Sequence, residues 1–228
     1  MSTEHNHTFK RFDKDLDKLR SQVERMGNEV SRQIDLLLGH LQAGKMTDYD
    51  DVIENDMTIN GLENKANRTV IKLLAKRSPM GRDLRVIIGF SRMITDLERV
   101  GDELVTMAKS LADAKELPDC FDGNNTITLA EMLVMAMNLL DRALLAAQNE
   151  DLETAQDMLQ KSLTKQSSYK IKLAEMIECV KKHHAESSNG FHSALQTHSL
   201  QRVCDHICNI CQHTVFMVTG EDVNHEED

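Results

Sequence analysis

The sequence predicts an all-α protein of six helices, arranged as two tandem three-helix bundles, and three observations carry that expectation. Apolar residues recur at steps of three and four over long stretches, the spacing of one helix face. The 228 residues include ten glycines and two prolines. A sandwich or barrel needs turn residues about every ten positions, so all-β folds are excluded. There is no Trp, and aromatic residues make up 4% of the chain. The core must therefore be built from Leu, Ile, Val, Met and Ala, and the 13 methionines suit helix interfaces that pack adaptably.

Each element follows in order. Residues 1–10 are polar, carry His5 and His7, and read as a flexible tail. Leu16, Leu19, Val23, Met26, Val30, Ile34, Leu37 and Leu41 form the stripe of a first helix that Ala43-Gly44 ends. Thr47 and Asp48 can cap the second, from Tyr49 to Lys76, with Val52, Ile59, Leu62, Ala66 and Leu73 on one side. Ser78-Pro79 reads as the N-cap and first position of a third helix. Its stripe is Leu84, Ile87, Ile94, Leu97, Val100, Leu104, Met107 and Leu111. The segment 118–125 is a linker. Thr128 to Glu131 has capping-box spacing and opens a fourth helix to Ala147. A fifth runs from Leu152 to Val180, and a sixth from Phe191 to Thr219.

Three helices, a linker and three helices of similar length suggest duplication. Leu97-Glu98-Arg99-Val100-Gly101-Asp102 aligns with Leu200-Gln201-Arg202-Val203-Cys204-Asp205 at an offset of 103 residues. Leu, Arg, Val and Asp are identical, and Gln matches Glu. The expected division is a tail (1–10), a first repeat (11–117), a linker (118–125), a second repeat (126–220) and an acidic tail (221–228). Short connections make the helices of each bundle near-antiparallel.

Composition also narrows function. With 27 Lys and Arg against 37 Asp and Glu, the net charge is −10, and a nucleic-acid binder needs a basic stripe to displace counterions. The longest apolar run, Met132 to Met137, is far short of the ~20 residues of a membrane span. No signal peptide is visible at the N-terminus. Five cysteines, three of them between Cys204 and Cys211, do not form a disulfide framework. These features read as a reduced, cytoplasmic chain. No Gly-rich phosphate loop, nucleophile elbow or His-Glu-x-x-His occurs. A ferritin-like di-iron centre would need Glu-x-x-His on core-facing helices, and the only match, Glu4 to His7, lies in the tail.

The acids are the chemically suggestive group. Glu98 and Asp102 are four apart on one helix, so their carboxylates leave the same face a turn apart and repel slightly unless a cation sits between them. Asp96 adds an acid on an adjacent stripe. The second helix offers Asp56, Asn60, Glu63 and Asn67, which would face the third across a groove if the two pack antiparallel. Carboxylate and amide oxygens without Cys or His suit a hard ion: magnesium, manganese or iron. The competing reading is a solvated acidic face. Cys204-x-x-x-Cys208-x-x-Cys211 has radical-SAM spacing but lies within a periodic helix, with His206 and His213 on neighbouring stripes. Adventitious zinc and plain apolar packing of the thiols are its alternatives.

Lys76-Arg77-Ser78-Pro79, Asp83-Leu84-Arg85 and Asp96 to Asp102 resemble the PhoU family of phosphate-uptake regulators. Arg202-Val203-Cys204-Asp205-His206, Asn209-Ile210 and Val218-Thr219-Gly220-Glu221 resemble that family's second repeat. The resemblance implies a cytoplasmic homodimeric adaptor that is not an enzyme and is peripheral to the membrane at most. Such a protein acts with the ATPase subunit of the phosphate ABC transporter and a sensor histidine kinase. It restrains the phosphate-starvation response. An accessory regulator of a different, low-affinity phosphate or ion permease is the alternative. Family members carry metal on Glu/Asp-x-x-x-Asp motifs. Matched by position, that assigns Glu98, Asp102, Glu63 and Asp56, with Asn67 standing where the family has an acid. In the second repeat Gln201, Cys204, Ser162 and Gln166 depart from the pattern, and Lys161, Lys165, Lys170 and Lys172 oppose a cation. Metal is therefore expected in the first repeat only.

Overall fold

In the computed structural model, six helices are described: α1 (Ser2–Ala43), α2 (Asp50–Arg77), α3 (Gly81–Asp113), α4 (Leu129–Asn149), α5 (Leu152–Leu163) and α6 (Ser188–Thr219). The structure describes residues 2–43, 49–114, 129–163 and 188–222, and isolated helical positions between 171 and 181. No strand occurs among them. The linker 118–125, the caps at Thr47, Asp48 and Thr128, residues 223–228, and Lys165, Gln166, Lys170 and Lys172 lie outside the described residues.

The apolar stripes account for the packing. Leu19, Val23, Met26, Val30, Ile34 and Leu37 of α1 are buried, as are Val52, Ile59, Leu62, Ala66 and Leu73 of α2. On α3, Ile87, Ile94, Leu97, Val100, Leu104, Met107 and Leu111 are fully buried, whereas Leu84 stays 38% exposed. Truncating a fully buried Leu such as Leu97 costs about 2–5 kcal/mol, through lost transfer energy and the cavity left behind.

Two local expectations are corrected. Helix α1 starts at Ser2, so residues 2–10, read as a flexible tail, are helical backbone. Neither Gly nor Pro occurs before Gly27 to interrupt the helix. Ser78 ends α2 instead of starting α3. It takes a left-handed conformation (φ 44°) and its N–H bonds the Leu74 carbonyl at 3.3 Å. Pro79 cannot continue α2 because it lacks an N–H. Helix α3 then begins after Met80 at Gly81, whose φ of 57° suits a residue without a Cβ.

The two halves meet along α3 and α6, the most extensively packed pair among the described helices. They run antiparallel, since Ser110 near the end of α3 bonds His192 near the start of α6, while Arg92 near the start of α3 pairs with Asp222 beyond the end of α6. Helix α1 packs on α4 as well as on α2 and α3. The two bundles therefore share one continuous core. At the α4–α5 turn, Glu150 accepts from Arg20 of α1 and Arg82 of α3, each at 2.6 Å, fastening the second half to the first. Asp151 caps α5, accepting the Thr154 N–H at 3.0 Å and its hydroxyl at 2.7 Å.

Candidate functional site

Helices α2 and α3 pack against each other, and the expected acids lie along their junction. Asp56, Glu63 and Glu98 are half-buried, and Asp102 is exposed. Antiparallel packing sets Asp56 against Asp102. The structure thus gathers the four carboxylates from their helical spacings. Burial raises the Glu98 carboxyl above its ordinary range, and the charges of Asp102, Glu63 and Asp56 add to that, with Arg99 opposing. Asp56 is raised by burial and then by Asp102, partly offset by the amides of Asn60 and Gln33. Two carboxyls that resist ionisation, Asp56 and Glu98, beside two further acids make a field poised for a cation.

The two asparagines do a different job from the acids. Asn60 Nδ2 donates to Asp56 Oδ2 at 3.0 Å, and Asn67 Nδ2 donates to Glu63 Oε1 at 3.2 Å. Asn67, assigned to the ligand set by position, therefore orients Glu63. Among the described residues, no three Asp, Glu, His or Cys side chains converge tightly enough to hold one ion by themselves. Two other observations do fit a hard cation. Asp56 Oδ1 is buried with no hydrogen-bond partner. A Cβ at Gly101 would stand 3.0 Å from that oxygen, 3.2 Å from Ile59 Cδ1 and 3.3 Å from Gln33 Oε1, so the missing methyl leaves a small cradle lined by two oxygens and one methyl. When bound, a divalent ion there would neutralise the repulsion among the carboxylates.

A second polar cluster, which sequence reasoning missed as a unit, lies between α3 and α6. Asp96, 6% exposed, accepts from His206 Nδ1 at 2.8 Å, Asn209 Nδ2 at 3.0 Å and His213 Nε2 at 2.7 Å. Burial opposes ionisation of Asp96, yet these donors outweigh it and hold the carboxyl far below its ordinary value. His206 and His213 are thereby committed to Asp96. Cys204 and Cys211 are buried and Cys208 half-buried, and none of the three is in a disulfide. Burial pushes the Cys211 thiol up to about 12, which makes it an inert packing group. Arg202 of α6 pairs with Glu103 of α3.

Sequence reasoning also missed Gln33. Its signal was a polar residue at a core position of α1, between Val30 and Leu37, and it is fully buried. No described helix is long and apolar enough to cross a membrane.

Comparison with known proteins shows what this chain is similar to. The PhoU domain profile matches residues 23–111, which span α1 to α3. A phosphate-specific transport system accessory protein PhoU homolog of Burkholderia is 29% identical, the match covering 96% of this chain and 93% of that protein. Its counterpart of Pseudomonas aeruginosa is 27% identical, covering 96% and 90%. The crystal structure of the phosphate transport system regulatory protein PhoU of Streptococcus pneumoniae superimposes with a TM-score of 0.77 at 27% identity, covering 94% of this chain and all of that one. PhoU of Pseudomonas aeruginosa superimposes with a TM-score of 0.74 at 26% identity, covering 92% and all of that chain. This chain thus carries a match to the PhoU domain over α1 to α3, and it is similar in sequence and fold to PhoU proteins over nearly its whole length.

Proposed function

We propose that this protein regulates phosphate transport by binding other proteins, restraining the phosphate-starvation response when phosphate is plentiful. The observation that carries the reading is the near-full-length match, in sequence and in fold, to proteins described as phosphate transport accessory and regulatory proteins. The finer assignment is to a cytoplasmic homodimer that contacts the ATPase subunit of the phosphate ABC transporter and a sensor histidine kinase. A rigid helical body with one shared core suits that role, because an adaptor must present its outer faces in fixed relation.

The α2–α3 junction is, on this reading, a metal centre. Asp56, Glu63, Glu98 and Asp102 would hold a magnesium, manganese or iron ion, and Asn60 and Asn67 orient two of the carboxylates. Bound metal would supply positive charge at the junction of two helices and so hold them in register. The raised Glu98 and Asp56 carboxyls support this, since a cation relieves the cost of ionising both.

Deleting the gene tests the regulatory reading. Alkaline phosphatase and high-affinity transporter expression should rise in phosphate-replete medium, and return on complementation. Unchanged expression overturns it, and altered uptake through a low-affinity permease alone favours the permease alternative. Elemental analysis of Asp102→Ala beside Asp205→Ala tests the metal reading. Loss of metal in the first variant only is expected, and equal loss or a metal-free parent overturns a first-repeat centre.

A further inference from the structure

Beneath Gly101 lie two oxygens without a hydrogen bond of ordinary geometry, although the Gln33 amide is close enough to Asp56 to lower its carboxyl. Asp56 Oδ1 and Gln33 Oε1 are both buried without a hydrogen-bond partner. Both lie within 3.3 Å of the point where a Gly101 Cβ would stand. Gln33 has no solvent exposure, and its Nε2 donates to the Val52 carbonyl at 3.1 Å. That bond decides which way the amide faces. Turned over, it would set Oε1 against the Val52 carbonyl, acceptor against acceptor. The other oxygen of Asp56 already accepts from Asn60. Two fixed acceptors thus face one small space that only a donor or a cation can satisfy. Asp102 and Glu98 add negative charge beside Asp56, which favours the cation, with Lys109 opposing in part.

We propose that Gln33, from α1, supplies an inner oxygen ligand to a hard divalent cation bound beside Asp56 Oδ1 under Gly101. Glu98 and Asp102 provide the neighbouring negative charge. The proposal rests on the metal-centre reading above and deepens it, since the site then draws on all three helices of the first repeat. It also explains how the junction can hold an ion although no three carboxylates converge. An uncharged amide oxygen completes the set, and hard cations accept amide carbonyls readily. Gly101 is the residue that leaves room for the ion, because any side chain there would occupy the cradle.

The test uses the full-length protein, stripped of metal with a chelator and titrated with manganese chloride, the free ion being read by electron paramagnetic resonance. The parent should bind manganese, and Gln33→Leu should weaken binding by about tenfold or more, the scale on which supporting ligands act. Gly101→Ala should weaken it comparably. That substitution favours helix and fills the cradle, so it decides the matter if Gln33→Leu fails to fold. Melting curves without metal establish which variants are folded. If Asp102→Ala loses manganese while Gln33→Leu and Gly101→Ala bind like the parent, the role of Gln33 is overturned and the metal centre stands. If the parent binds no manganese, the metal reading itself falls.

Discussion

Helix α3 carries two acidic regions two residues apart that behave in opposite ways. Asp96 faces α6 and is met by three donors, so its carboxyl is held well below the ordinary range. Glu98 faces α2, where burial and then other carboxylates hold it above that range. A two-residue step along a helix turns the side chain by more than half a circle. The difference is therefore one of partners, and it separates a structural contact from a candidate binding site. Asp96 locks the two halves together. Glu98 has only the Arg99 charge to set against burial and three carboxylates.

The largest expected effect is at the satisfied acid. Asp96→Ala leaves His206, Asn209 and His213 without their shared acceptor in the α3–α6 seam, and should cost on the order of 3 kcal/mol in urea unfolding. A loss under about 1 kcal/mol would show that the seam does not depend on this cluster.

The pH dependence of stability sharpens the contrast, because the two regions act with opposite sign. Asp96 has a lowered carboxyl in the folded state, so its contribution is complete above the unfolded value of about 4 and is lost as pH falls through the folded value. Asp96→Asn should remove that part of the acid sensitivity. Glu98 and Asp56 are raised, so the metal-free folded state binds protons more readily than the unfolded chain. Their penalty is present at pH 7 and is relieved as pH falls toward about 4. Metal-free protein carrying Glu98→Gln should accordingly lose stability more steeply than the parent as pH falls from 7 to 5. Matching slopes for parent and variant would show that the α2–α3 carboxylates do not interact.

The smallest effect belongs to the same junction at constant pH. In chelator at pH 7, Glu98→Gln should raise stability by about 0.2–0.5 kcal/mol, by relieving like-charge repulsion with Asp102 one turn away. With manganese present the sign should reverse, because the variant lacks a carboxylate that the ion favours. A destabilised variant in chelator would place Glu98 among the structural acids with Asp96.

Much of the α2–α3 acid cluster could be read from helical spacing alone. Glu98 and Asp102 share a face because they are four apart, and Asp56 and Glu63 follow from the period of α2. Spacing also gave a false lead at Leu84, which satisfies the apolar stripe of α3 yet remains exposed near the start of the helix. Ser78-Pro79 misled for a similar reason. Serine serves at either end of a helix, and the left-handed backbone at Ser78 cannot be inferred from residue type. Gln33 was detectable only as a polar interruption in a buried stripe, with no sign of what it faced.

By itself the sequence determined the helices and the identity of the acids. Those depend on periodicity within single segments, which neighbours along the chain impose through local sterics and hydrogen bonding. Tertiary structure decided which acids would be satisfied. Asp96 finds His206 and His213 only because α6 runs antiparallel to α3, more than 100 residues away in the chain. Asp56 meets Gln33 only because α1 closes under Gly101. A carboxylate's energy depends on the partners within a few ångströms, and the packing of distant helices sets those partners.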